Sequence, residues 1–315
     1  MHAGKDEEER RCFMEENIMK SSIKKRRMDS FPYLMCLPAL ILFFLFIILP
    51  FLDGLWTSFH QWDGFSPMKW NGFRNYRFTF TDPVFWQAMR NTFVYAFWVT
   101  IIKNILALTL AFFLVGDIRG KTLFRTGIYL PVTLSYVVIG ILWVWIYNPT
   151  FGLLNNFLRG IGRESWILGW LSNSDIALYS VIVVDVWKWT GYHMVLYIAG
   201  LQGIGKELYE AADIDGASGP RKFFQITIPL LNSTIVVNVL MSITGAFVSN
   251  FDIVNVMTGG GPMHSTEVSL TYIVTTAFKY ASVGKANAMS IILFAFVFAF
   301  GALQLRLMTR ETDNE

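Results

Sequence analysis

The chain has 315 residues, of which 54% are hydrophobic and only 16% are charged, against roughly 25% charged residues in soluble domains. Its mean hydropathy is +0.43 and its formal net charge is +3. This composition excludes an ordinary soluble enzyme and a disordered chain, and the small, dispersed positive charge argues against a nucleic-acid binder. The two cysteines, Cys12 and Cys36, cannot build a disulfide framework and lack metal-ligand spacing. The sequence therefore predicts an integral membrane protein.

Six apolar stretches are long enough to cross a hydrocarbon layer about 30 Å thick as helices. They cover 33–52, 92–115, 126–147, 176–201, 228–251 and 286–307. We therefore predict an all-α integral membrane protein with six transmembrane helices. Its domains would be a polar cytoplasmic tail over 1–31, a membrane domain over 32–308 and a short cytoplasmic tail over 309–315.

The first stretch is not expected to be a cleaved signal peptide, because it begins more than 30 residues into the chain and contains Pro38 and Pro50. Sixteen Lys and Arg residues lie in the tails and in the loops after the second and fourth stretches, whereas eight lie in the other loops. Because positive charge collects on the cytoplasmic side, we predict a multi-pass protein of the plasma membrane with both termini in the cytoplasm.

The one long cytoplasmic loop, about 202–227, has a pattern of its own. Residues 206–214 favour a short helix, which Gly216 could end by adopting a positive φ. Pro220 can begin a second short helix. We expect a helix–turn–helix knob beneath the membrane, with small residues that allow close approach and with Glu210 as an acceptor for an Arg or Lys.

The string Glu210-Ala211-Ala212, followed by Gly216 and by Ile226-Thr227-Ile228-Pro229, resembles the EAA signature of ABC importer permeases. It is most similar to the sugar-permease branch, the MalF-like subunits, which also includes lactose, multiple-sugar and glycerol-3-phosphate permeases. The segments Gly152-Leu153-Leu154-Asn155 and Thr258-Gly259-Gly260-Gly261-Pro262 extend the resemblance over nearly the whole chain. The short first outer loop departs from the enlarged maltose-system member, so maltose is not inferred.

The resemblance implies an ABC type I importer permease fold, in which a cytoplasmic coupling helix between the fourth and fifth spans seats in a groove of an ATPase subunit. The implied partners are two cytoplasmic ABC ATPase subunits, a second homologous permease subunit and an extracytoplasmic solute-binding protein. The residues that would couple the permease to the ATPase are Glu210, Ala211, Ala212, Asp215 and Gly216.

No ATPase motif lies within the chain. The segment 116–122, Gly-Asp-Ile-Arg-Gly-Lys-Thr, is one residue short of a P-loop, and no predicted strand precedes it. The four histidines are scattered along the sequence without a common partner set. We therefore predict a transport subunit without catalytic residues, metal or cofactor.

Ionisable residues inside a membrane are costly, so they normally face a cavity or a partner. Asp185 and Lys188 share one helical face, so they could line a solute pathway or pair with each other, and Lys103 could line it, pair or snorkel. The resemblance places Tyr192 and Asn250 where relatives use Tyr and Asn, although Asn250 could instead cap the end of the fifth span. The predicted pathway residues are Asp185, Lys188, Trp189, Tyr192, Phe247 and Asn250.

The sequence thus predicts the permease subunit of an ATP-binding-cassette importer for a carbohydrate, with a di- or oligosaccharide preferred. One alternative is an ABC permease for glycerol-phosphate or another non-sugar solute. Another is a secondary transporter driven by an ion gradient, with Lys103, Asp185 and Lys188 as a relay, although no inverted repeat with paired broken helices is visible. A membrane enzyme or scaffold would lack a reactive constellation.

Overall fold

The computed structural model describes residues 34–116 and 118–312, without the side chains of 303–305 and 307–312. Within these residues the chain is almost entirely helical, which confirms the predicted all-α class, and the strands form a single short hairpin. Cys12, the predicted tail over 1–31 and the last three residues of the predicted tail over 309–315 lie outside the described residues. The chain divides into two compact units, of which the first ends at Thr57 and the second begins at Ser58.

The described part of the first unit is one apolar helix, α1, at Leu34–Thr57. Its 24 residues span about 36 Å at 1.5 Å per residue, which exceeds a hydrocarbon core of about 30 Å. It contains one π-helical turn at Phe44–Ile48, and none of its most apolar window is buried. The first predicted span is therefore a helix that continues past residue 52 to Thr57.

The second unit begins with a short hairpin. Strands β1 (His60–Gln61) and β2 (Lys69–Trp70) pair antiparallel, with His60 opposite Trp70. The helices that follow are, in chain order, α2 (Arg74–Thr81), α3 (Pro83–Val115), α4 (Lys121–Tyr129), α5 (Tyr136–Ile146), α6 (Leu153–Gly160), α7 (Ala177–Gln202), α8 (Lys206–Ile214), α9 (Gly219–Leu230), α10 (Asn232–Val248), α11 (Asn250–Met257), α12 (Ser269–Val274) and α13 (Val283–Thr312).

Helix α3 starts nine residues before the predicted second span because it has a strong N-terminal cap. The Asp82 carboxylate accepts hydrogen bonds from the backbone N–H groups of Val84 and Phe85, at 3.0 and 3.4 Å, and Pro83 occupies the first turn. A side-chain acceptor at the N-cap and a proline at the first position both favour helix initiation. The first turns of α3 therefore extend beyond the apolar stretch that predicted it.

Helix α3 packs along α7, and α10 packs against both of them. Buried apolar residues of these helices form two core clusters, one of which includes Tyr95 and Val181 and the other Ala107 and Met194. A third cluster, with Phe85 and Met289, joins α3 to α12 and α13. The interior of the second unit is therefore organised around α3 and α7.

The third predicted span is not one straight helix, which corrects the expectation from hydropathy. Helix α4 continues as a 3₁₀ turn at Leu130–Thr133, and the axis then bends by 102° before α5 begins. Pro131 lies in this turn, Leu134 is extended, and the Ser135 hydroxyl caps α5 by accepting from the Val138 N–H at 3.3 Å. A proline and a fresh N-cap within five residues explain the bend.

The fifth predicted span is also bent, by 69° between α9 and α10, with Leu231 at the break. Pro229 lacks an N–H and cannot continue the helical hydrogen bonding, and a π-helical stretch at Phe223–Thr227 precedes it. Among the described residues, length and composition thus qualify three helices as spans, α1, α3 and α13 as far as Ala302, and up to five if each bent pair counts as one. The predicted fourth span is the 26-residue helix α7, but it is not one of the helices that qualify as spans by length and composition. The number of six spans therefore remains a prediction.

A polar anchor near the start of α3 makes a prediction about acid stability. Lys285 and Tyr272 both donate to Asp82 Oδ2 at 2.8 Å. Burial raises the pKa of Asp82, but these two hydrogen bonds, the Lys285 charge and the helix N–H groups outweigh it and hold the pKa below the ordinary value of 3.8. A carboxyl with a lowered folded-state pKa contributes stability that is fully present above the unfolded pKa and is lost as pH falls through the folded one.

We therefore expect Asp82→Asn to lower the thermal unfolding midpoint of the purified protein at neutral pH, and we expect this difference to shrink only below a pH of 3.8. Unfolding scans of both proteins from about pH 7 downward would measure it. A difference independent of pH would show that Asp82 acts through its shape and not its charge.

Candidate functional site

A cavity of about 280 Å³ lies inside the second unit, between α3, α5, α7 and α10. Aromatic, charged and small polar side chains surround it. Its lining residues are Lys103, Tyr136, Asp185, Trp189, Tyr192, His193, Met241, Gly245 and Ser249. Three of the six predicted pathway residues, Asp185, Trp189 and Tyr192, therefore lie around one cavity, together with Lys103.

The bend between α4 and α5 helps to build this cavity. Tyr136 is the first residue of α5, and its hydroxyl donates to Asp185 Oδ1 at 2.9 Å. The Trp189 indole N–H in turn donates to the Tyr136 hydroxyl at 2.5 Å. Asp185 is only 3% exposed, and it also interacts electrostatically with Lys103. The bend thus brings a hydroxyl donor to a carboxylate buried within the membrane region.

Lys188 lies elsewhere than expected. Its ammonium donates to the backbone carbonyls of Pro131, Val132 and Leu134, at 3.3, 3.2 and 2.5 Å, and lies about 5 Å from the ring centres of Tyr136 and Trp189. It does not line the cavity and forms no ion pair with Asp185 within 4.0 Å. Lys188 instead supplies donors to carbonyls at the bend, where irregular backbone would otherwise lack partners in the membrane.

Gly191 allows α7 to approach the helix before the bend. A Cβ on Gly191 would lie 2.3 Å from the Ile128 carbonyl oxygen and 2.8 Å from Tyr129 Cα. Both atoms belong to the backbone and cannot rotate away. The absence of a side chain at Gly191 therefore sets the distance at which Lys188, one turn away, can reach the bend.

A row of buried polar groups extends from the cavity and was not predicted from the sequence. His193 lies 2.8 Å from Asn238 Oδ1 and 3.3 Å from Ser242 Oγ, and Asn104 donates to Ser242 at 2.9 Å and accepts from Tyr197 at 2.8 Å. These side chains tie α3, α7 and α10 together through hydrogen bonds, as polar residues do between membrane helices. The signal in the sequence was the presence of Asn and His within apolar stretches.

Phe247 and Asn250 do not line this cavity. Phe247 packs edge to face against Phe93 at 5.5 Å and faces an apolar hollow of about 470 Å³ that also includes Phe300. Asn250 is completely buried, and neither of its amide atoms has a hydrogen-bond partner within the described chain. The preceding Ser249 is the N-cap of α11, without a side-chain cap bond, so Asn250 does not cap a helix either. An unpartnered buried amide costs about 1–3 kcal/mol.

The short helix predicted over 206–214 is confirmed as α8 at Lys206–Ile214. Gly216 follows it with φ of +72°, the Gly216 N–H donates to the Asp213 carbonyl at 3.1 Å, and the Ala217 N–H donates to the Ala212 carbonyl at 2.9 Å. This is the Schellman arrangement that satisfies the last carbonyls of a helix. The second short helix also forms where Pro220 predicted it, within α9.

The knob formed by residues 206–222 presents a mixed surface. Four of the five predicted coupling residues are exposed, namely Glu210, Ala211, Asp215 and Gly216. Ala212 is only 8% exposed, so it packs inward and cannot contribute a contact surface of its own. Ile214, at 88% exposed, and Leu208, at 48%, were not predicted, yet they are the large apolar side chains on this helix that point outward.

Two side-chain contacts hold α8 against α9. Lys222 forms a salt bridge with Asp213 at 2.5 Å, and the hydroxyls of Tyr209 and Thr227 lie 2.9 Å apart. Helix α7 ends at Gln202, only four residues before α8 starts at Lys206. The knob is therefore connected closely to α7, the helix that carries Asp185, Trp189 and Tyr192.

Residues 103–311 match the family model of the binding-protein-dependent transport system inner membrane component. The chain belongs to this family. Membership places it in the membrane as the permease component of an ABC importer, in agreement with the resemblance found in the sequence. The match begins within α3 and includes both the cavity and the knob.

Curated relatives match over most of their length. The probable ABC transporter permease protein YurN of Bacillus subtilis is 39% identical over 278 residues, which cover 87% of this chain and 94% of that protein. The trehalose/maltose transport system permease protein MalF of Thermococcus litoralis is 34% identical over 296 residues, or 93% and 98% of the two chains. These permeases and the present chain therefore correspond along nearly their whole sequences.

The fold is shared with a bacterial ABC transporter involved in the import of the acidic polysaccharide alginate. Its crystal structure matches with a TM-score of 0.79 and 25% identity, over 91% of this chain and 98% of that one. A second crystal structure, of the transporter with an alginate pentasaccharide-bound periplasmic protein, matches with a TM-score of 0.75 and 25% identity over 89% and 94%. The chain therefore has the fold of an ABC importer permease.

Proposed function

We propose that this permease is one membrane subunit of an importer that carries a carbohydrate into the cell, driven by ATP hydrolysis on separate subunits. Both termini would lie in the cytoplasm, so the knob would lie there too. The observation that carries the proposal is that one helix, α7, holds four cavity residues and leads within four residues into the exposed knob. A force applied to the knob would therefore reach the cavity directly.

The knob has the features expected of a docking element for an ATPase subunit. Its exposed carboxylates, Glu210 and Asp215, can accept from Arg or Lys, and the exposed Ile214 side chain can enter an apolar pocket. The small Ala211 side chain and Gly216 permit close backbone approach. We infer that two ATPase subunits, one under this chain and one under a second homologous permease, would move the two knobs together.

A carbohydrate fits the cavity better than an apolar solute. Its wall combines the rings of Trp189 and Tyr192, which can lie against the C–H faces of a sugar, with polar groups for hydroxyls. Among the matched proteins, one is named for trehalose and maltose and another for alginate, which supports the same class, whereas others are named for sn-glycerol-3-phosphate, the solute of the alternative. The alginate complex with its periplasmic protein supports delivery by an extracytoplasmic solute-binding protein.

An ion-gradient relay through Lys103, Asp185 and Lys188 is disfavoured. Lys188 is engaged by three backbone carbonyls and does not face the cavity. A proton relay requires protonatable side chains that lie one after another along a path. Lys188 lies outside the cavity through which such a path would run.

Uptake into vesicles tests the proposal. The assembled transporter is placed in sealed right-side-out vesicles that contain ATP, and its binding protein is added outside. We expect uptake of radiolabelled sugar to require internal ATP and to continue in the presence of a protonophore, because the driving force is hydrolysis. Loss of uptake on adding the protonophore, with internal ATP unchanged, would support the ion-gradient alternative. Uptake of glycerol-3-phosphate with no sugar uptake would show that the solute class is wrong.

A further inference from the structure

Two opposite charges face the cavity without touching each other. Lys103 on α3 and Asp185 on α7 both line it, each is only 3% exposed, and they interact electrostatically. No ion pair within 4.0 Å joins them, and in the described part of the chain the Lys103 ammonium has no hydrogen-bond partner. A buried ammonium without a partner is costly, so its three donors are available for a ligand.

One of the two carboxylate oxygens of Asp185 is hydrogen-bonded within the protein. The Tyr136 hydroxyl donates to Oδ1 and the buried Tyr95 hydroxyl lies near the same carboxylate, but no described side chain donates to Oδ2 with ordinary hydrogen-bond geometry. The remaining ionisable side chain of the cavity, His193, has Asn238 beside Nδ1 and Ser242 beside Nε2. The charged groups left for a solute are therefore one carboxylate oxygen and one ammonium, and their charges cancel.

The aromatic part of the wall is arranged as a corner. The rings of Trp189 and Tyr192 are nearly perpendicular, at 89°, with centroids 5.7 Å apart. A sugar ring can lie against one ring while its edge meets the other. Hydroxyls on that edge could then reach Lys103 on one side and Asp185 on the other, because these side chains belong to different helices around the same cavity.

We propose that Lys103 and Asp185 form a specificity-determining pair that selects a hydroxyl-rich solute with no net charge. Lys103 would donate to solute hydroxyl oxygens, and Asp185 Oδ2 would accept from a solute hydroxyl. A carboxylate or phosphate on the solute is rejected because Asp185 repels it and already balances the charge of Lys103. This inference rests on the proposed function, and it makes the solute a neutral carbohydrate, unlike the acidic polysaccharide of the matched alginate importer.

The test measures solute binding to the purified transporter in lipid nanodiscs without the binding protein, which imposes a selectivity of its own. The probes are two trisaccharides of matched length, neutral maltotriose and acidic trigalacturonate, each radiolabelled and measured by equilibrium dialysis. We expect the wild type to bind maltotriose in preference to trigalacturonate. Asp185→Asn leaves Lys103 uncompensated and keeps an acceptor for Tyr136, so it should shift the binding ratio toward trigalacturonate by about tenfold or more.

Two further variants separate charge from shape. The double variant Asp185→Asn with Lys103→Gln should lose the gained preference for the acidic trisaccharide, because neither charge remains. Asp252→Asn removes a carboxylate from an exposed position on α11 outside the cavity lining, so its binding ratio should equal that of the wild type.

The outcomes are distinguishable from those of the proposed function. If the wild type takes up sugar in the vesicle assay but prefers the acidic probe or binds neither probe, the proposal of the specificity pair alone is overturned. The same holds if Asp185→Asn leaves the binding ratio unchanged. A wild type without any ATP-dependent sugar uptake overturns the proposed function itself. A shift of equal size in Asp252→Asn would assign the effect to overall charge and would also overturn the pair.

Discussion

Glu210→Lys is expected to reduce solute uptake by the assembled transporter about 30-fold or more while leaving the amount of permease in the membrane unchanged. Glu210 is exposed on α8 and is not needed for the packing of the knob. If it accepts from a basic residue of the ATPase, reversing its charge replaces attraction by repulsion, and truncating or reversing such a pair costs about 2–5 kcal/mol. That free energy is lost from the contact that transmits force, so transport should fail although insertion succeeds.

Gly216→Ala should produce the same loss by another route. Its φ of +72° costs a residue with a side chain roughly 1–2 kcal/mol, although no atom lies within 4 Å of the added Cβ. The cost therefore acts on the turn that ends α8 and not on packing elsewhere. We expect the turn to open and the exposed Ile214 and Asp215 beside it to be displaced.

Uptake, immunoblots of membrane fractions and co-purification of the ATPase measure these effects together. Glu207→Lys and Gly219→Ala are matched controls, because Glu207 is exposed on the same helix and Gly219 lies in the same loop without a positive φ. Both controls should transport nearly as well as the wild type. Normal uptake by Glu210→Lys and Gly216→Ala would contradict the coupling role of the knob.

Cross-linking adds a position-specific check, in a background from which Cys12 and Cys36 have been removed. Ala211→Cys should be trapped against the ATPase subunit, because Ala211 is exposed. Ala212→Cys should not be trapped, because Ala212 lies on the buried face of the helix. Equal trapping of both would show that the helix turns or unfolds when the ATPase binds.

Lys188→Met is expected to have the largest effect on stability. The methionine fills most of the same volume but leaves the carbonyls of Pro131, Val132 and Leu134 without the ammonium that now binds them. The Pro131 carbonyl keeps the Leu134 N–H at 3.3 Å, so two carbonyls lose their donor. Unsatisfied buried polar groups cost about 1–3 kcal/mol each, so a total loss of about 2 kcal/mol or more in the free energy of unfolding is expected. The bend between α4 and α5 should loosen, and Tyr136 would then be displaced from Asp185.

The measurement is the thermal unfolding midpoint of the purified protein in detergent or nanodiscs. Val183→Met is the control, because Val183 lies on the same helix with half of its side chain exposed, and it should change the midpoint little. Lys188→Arg keeps the charge and donors and should retain part of the stability. An unchanged midpoint in Lys188→Met would show that other groups or water satisfy these carbonyls.

The knob was predictable in detail because its conformation depends on neighbours in sequence. Helix propensity over 206–214, a glycine two residues after the helix end and a proline in the next turn act within about ten residues. The burial of Ala212 was not predictable, because it depends on how the helix packs and not on its local helix propensity. The same limit explains why the apolar exposure of Ile214 was missed.

For the cavity, the residue types were predictable and the partners were not. Asp185 and Lys188 stood out because charge in an apolar stretch demands compensation. Which group compensates each was undetermined, since the carbonyls that bind Lys188 lie 54–57 residues away along the chain and become available only because the third span bends. Phe247 and Asn250 were placed in the pathway by resemblance, whereas here they lie outside the cavity lining.

The amino-acid sequence alone determined that the chain is a helical membrane protein, that it carries the permease signature and that its loop over about 202–227 folds into a capped helix. These properties depend on hydropathy, local propensity and glycine or proline geometry, which act over short distances along the chain. Only the tertiary structure decided that two spans are bent, that Lys188 serves the backbone and that Lys103 shares a cavity with Asp185. Those outcomes require helices remote in sequence to come together, because a buried charge takes whichever partner the packing brings within reach.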